Sequence, residues 1–306
     1  MSRAAAHPIP CVGTIAACLT VAACLTVAAC LTVVSAVLPA GAVRAEPPAV
    51  RLEYRFRVGD RIEMQVAHRA LTETTINDTT QTVETMTDSR KIWTVTAVDV
   101  AGRATLEHSV DDVRMTSRTS DRGETRWSSG DKADPPPGYE TVRQSLGVPL
   151  TRMVVDRDGR IVDRVELRPC PPASSGDLVV VPLPEEPVAA GAEWTVLQEV
   201  VVEAPNGPRK AVRTRLRYRL ESVADGQATI RVDTTVLTPV DDPRLEARLL
   251  ERFWDGEIVF DIEAGRVVSR RTAIDRRVVG FGGPQSSVRY KASLVETLAA
   301  PPASQP

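Results

Sequence analysis

The chain has 306 residues, 38 of them Lys or Arg and 40 Asp or Glu, enough for one large domain or two modest ones. The charges nearly balance and alternate in sign along the chain without a dense basic run, which argues against a nucleic-acid partner.

The first 45 positions contain no acidic residue and only two basic side chains other than histidine, Arg3 and Arg44, around a long apolar segment ending near Pro39. A positive start, an apolar middle and a small-residue exit predict an export signal over residues 1–45. Cleavage falls after Val43-Arg44-Ala45 or after Ala40-Gly41-Ala42. Ala-Ala-Cys-Leu-Thr-Val occurs three times in tandem, at 16–21, 22–27 and 28–33. This makes Cys18, Cys24 and Cys30 lipidation candidates, because each follows a lipobox-like triplet. Leu31-Thr32-Val33-Val34 after Cys30 stays apolar where lipoproteins turn polar. The run is also long enough to span a bilayer uncleaved, since about 20 residues suffice. The expected locations are therefore periplasm or cell surface after cleavage, then a lipid anchor, then an uncleaved membrane anchor. Without the leader's two arginines, 36 basic and 40 acidic residues remain, a net charge near −4. Of five cysteines only Cys170 lies beyond the leader, and between prolines it reads as a loop thiol without a disulfide partner.

Beyond the leader, Leu52, Tyr54, Phe56 and Val58 alternate with charged residues and predict a strand that turns at Gly59-Asp60 and resumes through Ile62, Met64 and Val66. The Thr-rich stretch 71–87 predicts a long twisted or edge strand. Lys91–Val98 and Ala104–Met115, joined around Gly102, predict a hairpin. Residues 118–137 are polar and end in three prolines, the composition of an exposed loop. Tyr139, Val142 and Leu146 predict a short helix ending at Gly147, and a hairpin over 151–167 follows. Six prolines make 168–190 a stiff connector. The order then repeats. A strand opens at Gly191, and Leu216, Tyr218 and Leu220 alternate with Arg215, Arg217 and Arg219. A hairpin turn falls at Gly226. Asp242 caps a helix with Pro243 at its first position and Leu245, Leu249 and Phe253 along one face, and a hairpin spans 257–274. Val288 to Leu294 supply a closing strand, and 299–306 a disordered tail.

The chain therefore reads as a mainly β, antiparallel protein built from a duplicated β-module, copy 1 over 46–167 and copy 2 over 191–298. Together the copies form a large curved sheet or a sandwich with two short covering helices. The export signal, Val98-Asp99-x-x-Gly102-x-Ala104-Thr105, the Leu183-to-Trp194 motif (Leu-Pro-x-x-Pro-Val-x-x-Gly-x-x-Trp) and Phe260-Asp261-x-x-x-Gly265-Arg266-Val267-Val268 together resemble a group of uncharacterised exported bacterial proteins. That resemblance covers residues 50–298 and implies fold, not activity. More loosely, a curved antiparallel sheet under helices is similar to the periplasmic lipoprotein-carrier (LolA/LolB-like) architecture, which implies a concave face that holds acyl chains.

No catalytic residue, metal ligand or cofactor site is assigned. Asp156-Arg157-Asp158-Gly159 lacks the further ligands of a calcium loop and reads as a hairpin turn. His68 and His108 have neither zinc-motif spacing nor a cysteine pair; strand alternation places His108 and Asp112 on one face. Ser286-Ser287 follows a turn without a nucleophile motif. Glu185-Glu186 and Asp241-Asp242 lack the facing arrangement of a glycosidase pair. Tyr54, Phe56, Trp93, Trp194, Tyr218, Phe260 and Tyr290 are the ligand-pocket candidates, set against an ordinary β core. The expected function is an exported non-enzymatic binding protein holding a lipid or other apolar ligand. The alternative is a structural or protein-interaction module with a filled core. The partners are correspondingly a lipid or an envelope protein.

Overall fold

A computed structural model of the chain describes residues 48–168, 179–203 and 209–300, within the second of two units into which the chain divides, Glu46–Pro306. The leader with Cys18, Cys24 and Cys30, the thiol of Cys170 and the tail from Pro301 lie outside the described residues.

The first half contributes β1 (Arg61–Ile76), β2 (Thr79–Val98), β3 (Ala104–Thr119), β4 (Gly123–Ser128), α1 (Glu140–Gln144), β5 (Thr151–Val155) and β6 (Ile161–Glu166). The second contributes β7 (Glu193–Glu203), β8 (Arg209–Ala224), β9 (Gln227–Val236), α2 (Pro243–Leu249), β10 (Asp255–Asp261), β11 (Arg266–Val279) and β12 (Ser286–Leu298). All twelve strands form one sheet in the order β6-β5-β3-β2-β1-β12-β11-β10-β9-β8-β7, with β4 added to β3. Every pairing is antiparallel. The sheet is therefore a single curved sheet and not a sandwich, and it does not close. Apart from β4, which adds to β3, both halves run three strands, a helix and a hairpin in the same direction along it, with β12 between β11 and β1.

The sheet rolls up around its N-terminal segment. Tyr54 N–H donates to Arg157 C=O at 2.7 Å, and Arg55 N–H to Gly265 C=O at 3.1 Å. Those acceptors sit in the β5–β6 and β10–β11 turns, and β5 lies six strand steps from β10 along the sheet. Flat, that is roughly 29 Å at about 4.8 Å per step. Two adjacent residues reach both turns only if the sheet curls, and register shifts in the β2–β3, β5–β6, β8–β9 and β10–β11 pairs supply bends. Glycine is required at both turns. With positive φ, a Cβ on Gly159 would lie 2.2 Å from Val181 C=O, and one on Gly265 would lie 2.7 Å from Arg55 N.

Two apolar clusters fill the roll. One joins Leu52 and Tyr54 to Met64, Trp93, Leu106, Met153, Tyr218, Ile230 and Phe260, with Val179, Val180, Val181 and Leu183 of the connector. The other sets Leu245 and Leu249 of α2, with Leu250 and Phe253, on Val212, Ile274, Val278 and Tyr290.

Four expectations are corrected. Residues 51–57 form no strand; only Val50 makes a bridge, to Val188. Their alternation reflects insertion of Leu52 and Tyr54 into the core. The stretch 71–87 is not one strand but two, β1 and β2, turning at Asn77 and Asp78 with φ of 46° and 64°, and β12 and β3 flank it on either side. The 118–137 loop contains β4, whose Trp127 is buried. Finally, Asp111 is an extra residue in the β2–β3 ladder, so His108 lies opposite Trp93 while Asp112 lies opposite Arg90, on the other face.

Candidate functional site

Six of the seven aromatic pocket candidates meet in the first cluster. Tyr54, Trp93, Tyr218 and Phe260 are buried there, and Phe56 and Trp194 pack against it. Tyr54 stacks on Phe56 and meets the edge of Phe260, both at 5.3 Å, while Trp194 stacks on Tyr218 at 5.6 Å. The Tyr54 hydroxyl accepts from Val181 N–H at 2.6 Å and donates to Val181 C=O at 3.2 Å. Burial pushes this phenol, and that of Tyr218 to about 12, above the ordinary tyrosine range. Trp194 Nε1–H donates to Pro182 C=O at 2.9 Å. Tyr290 belongs to the second cluster, under α2; burial pushes its phenol up to about 12. These rings pack on one another, on His108 and on the chain's own backbone.

Candidates for chemistry occupy structural positions. Gly159 N–H donates to Asp156 C=O, and Asp156 N–H to Arg160 C=O, both at 2.9 Å, closing the β5–β6 turn. Glu185 pairs with Arg160 at 2.8 Å. Asp242 Oδ1 accepts from Arg244 N–H at 2.9 Å as the α2 cap. Ser286 Oγ donates to Gly283 C=O and accepts from Gly282 N–H, pinning the turn before β12. His108 is 2% exposed and stacks on Trp93 at 4.6 Å. Its Nε2 has no hydrogen-bond partner among the described residues. Burial, helped by Lys91 and Arg164, pushes its pKa down to about 3, leaving a neutral ring. His68, on β1, packs 6.2 Å from Trp254 instead; burial first, then Lys91 and Arg69, lower its pKa too. The two histidines thus face different neighbours, and no group of three or more metal-ligating side chains occurs among the described residues.

Sequence reasoning did not single out a buried charged group on the concave face. Glu296, 4% exposed, pairs with Arg270 Nε at 2.9 Å and Lys91 Nζ at 3.7 Å. Its signal was parity. Lys91 alternates in step with Trp93 and Val95, and Glu296 with Tyr290, Ala292 and Leu294. These pairs tie β2 of the first half to β11 and β12 of the second.

Two hollows are open to solvent. One, of about 610 Å³, lies where β3 divides between β4 and β5 and is lined by Gln65, Arg90, Asp111, Asp112 and Ser129. There Asp111 pairs with Arg61 at 3.1 Å and Arg90 at 3.7 Å, and Ser129 Oγ donates to Asp112. The other, of about 760 Å³, includes Arg69, Leu71, Met86, Phe253, Asp275 and Lys291. Both are open rather than enclosed; the first is mainly polar, and the second is lined in part by Leu71, Met86, Phe253 and Ile274.

No family model matches the chain, and no curated protein matches it. Among solved structures it is similar at 8% identity to DynF from the dynemicin biosynthesis pathway of Micromonospora chersina, over 84% of this chain and 88% of that one, with a TM-score of 0.23. The secretin InvG of the Salmonella SPI-1 type III secretion injectisome aligns at 10% identity over 81% of this chain and 63% of that one, with a TM-score of 0.16. Scores this low give no basis for transferring fold or function.

Proposed function

We propose that the protein is an exported, non-catalytic module of the bacterial envelope, built from two copies of one β-module, that works through its surface over a filled core. The observation carrying this reading is the fate of the aromatic residues. The side chains a curved sheet would offer an acyl chain instead stack on one another, on the 50–57 segment and on the connector. The leader supports export. The acidic, histidine and serine candidates closing turns, capping a helix or packing in the core support a non-catalytic role. Among the described residues no helix is long and apolar enough to cross a membrane.

Native and denaturing mass spectra of the compact unit Glu46–Pro306, purified from a bacterial host, test this reading. The expected native mass is a whole multiple of the polypeptide mass with nothing added, and no fluorescent fatty acid is taken up. A reproducible excess mass of acyl-chain size, released on denaturation, would overturn it in favour of a lipid carrier.

A further inference from the structure

The sheet ends in two edge strands of different character. In β6 three of six residues, Asp163, Arg164 and Glu166, are charged and exposed, beside the exposed Val162 and Val165, and edges that avoid pairing commonly carry such charges. β7 has β8 as its one strand partner among the described residues. Its run Thr195-Val196-Leu197-Gln198-Glu199-Val200-Val201-Val202 carries a single charge and is mostly apolar or β-branched. Leu197 and Val201 are 67% and 56% exposed. Water satisfies the N–H and C=O groups along such an edge, and a second strand that pairs with them also shields its exposed apolar side chains.

Strand count then selects the partner. Eleven antiparallel strands lie on the path from β6 to β7, so the two edges run in the same direction. Translating a second copy to bring its β6 beside β7 gives a parallel join, unlike any other in the sheet. Turning that copy over to make the join antiparallel sets its charged outer face beside the apolar face carrying Trp194 and Tyr218. A two-fold axis normal to the sheet instead brings β7 to β7, antiparallel, with core faces on the same side. An isologous contact of this kind closes at two subunits.

Charge narrows the register, and among the centrings it allows, Leu197 leaves a longer paired run of β7 than Val200 does. Centring the pair on Gln198 sets Glu193 opposite Glu203, and centring it on Glu199 sets that residue opposite itself. Centred on Leu197, Thr195 faces Glu199, Glu193 faces Val201 and Trp194 faces Val200, with no like charges directly opposed. We propose that two copies of this chain pair edge to edge through β7, antiparallel about Leu197, making one continuous sheet of both molecules. This inference rests on topology and would hold whether or not the core takes up a ligand, so its failure is distinct from failure of the interaction reading.

Sedimentation equilibrium of Glu46–Pro306 tests the association, and cysteine cross-linking tests the register. Wild type should dimerise. Leu197→Lys, which sets two ammonium groups opposite each other on an exposed face, should raise the dimer dissociation constant about tenfold or more without lowering the melting temperature measured at dilutions where both proteins are monomeric. Val165→Lys on β6 should leave it unchanged. In a Cys170→Ala background, Leu197→Cys should oxidise to a disulfide dimer, because residues opposed on the dyad lie about 4.5–5.5 Å apart at Cα, within disulfide reach. Val165→Cys should not. A monomer at all concentrations, a dimer indifferent to Leu197→Lys, or cross-linking through position 165 rather than 197 would each overturn the proposal.

Discussion

His108 shows how a single residue couples the core to pH. Its ring lies flat against Trp93 among apolar neighbours, with the cationic groups of Lys91 and Arg164 near enough to oppose protonation. In the folded chain it takes up a proton only near pH 3, whereas in the unfolded chain it does so near the ordinary histidine value of about 6.5. Between these values the unfolded state binds more protons. The contribution is therefore fully present above about pH 6.5 and is lost as pH falls toward 3, by about 1.4 kcal/mol per pH unit. Phe at this position keeps the stack and cannot titrate. Between pH 7 and pH 4 the wild type should lose on the order of 3 kcal/mol more than His108→Phe, measured by urea unfolding at each pH. Parallel acid limbs for the two proteins would show that His108 is solvated enough to charge without unfolding.

At the scale of elements, what could be read from sequence depended on whether the signal was local. α2 announces itself: Asp242 accepts from Arg244 N–H, Pro243 sits at the first position, and Leu245 and Leu249 bury on the side facing the sheet. Asp242→Ala should therefore cost about 1 kcal/mol and Asp242→Asn much less, read as shifts of the urea midpoint. Equal losses would mean that the charge of Asp242, not its cap, holds the helix. β8 was equally plain, since its alternation of Arg with Leu and Tyr matches its two faces. Elsewhere the pattern gave burial but not pairing. Leu52 and Tyr54 alternate like a strand because an extended segment passing through a core must also turn every second side chain inward. The Asn77-Asp78 turn lacks Gly and Pro, and a Thr-rich run masks it. β4 is polar on nearly every residue but Trp127. The extra Asp111 reverses the faces of His108 and Asp112 without any mark in composition, and an inward Glu296 looks ordinary until the strands bearing its cations are placed beside it.

Across the whole molecule, stability depends on closing an open sheet without pairing its edges. β6 and β7 run in the same direction, so an antiparallel seam between them is excluded, and residues 54 and 55 instead link the β5–β6 and β10–β11 turns. Tyr54 is central to this closure. Its backbone holds the β5–β6 turn, its ring packs on Phe260 from the β10–β11 hairpin, and its hydroxyl occupies both polar groups of Val181. Removing the hydroxyl alone leaves that buried N–H and C=O without it, at about 1–3 kcal/mol. Truncation to Ala adds a cavity, for about 3–5 kcal/mol. Location separates this account from ordinary core loss. In Tyr54→Ala, amide exchange should quicken together at Arg157–Arg160 and Ala264–Arg266, turns on hairpins far apart along the sheet, while α2 and its cluster stay protected. Loss of protection at the nearer turn alone would mean that the two hairpins are held independently and that the segment fills the roll without closing it.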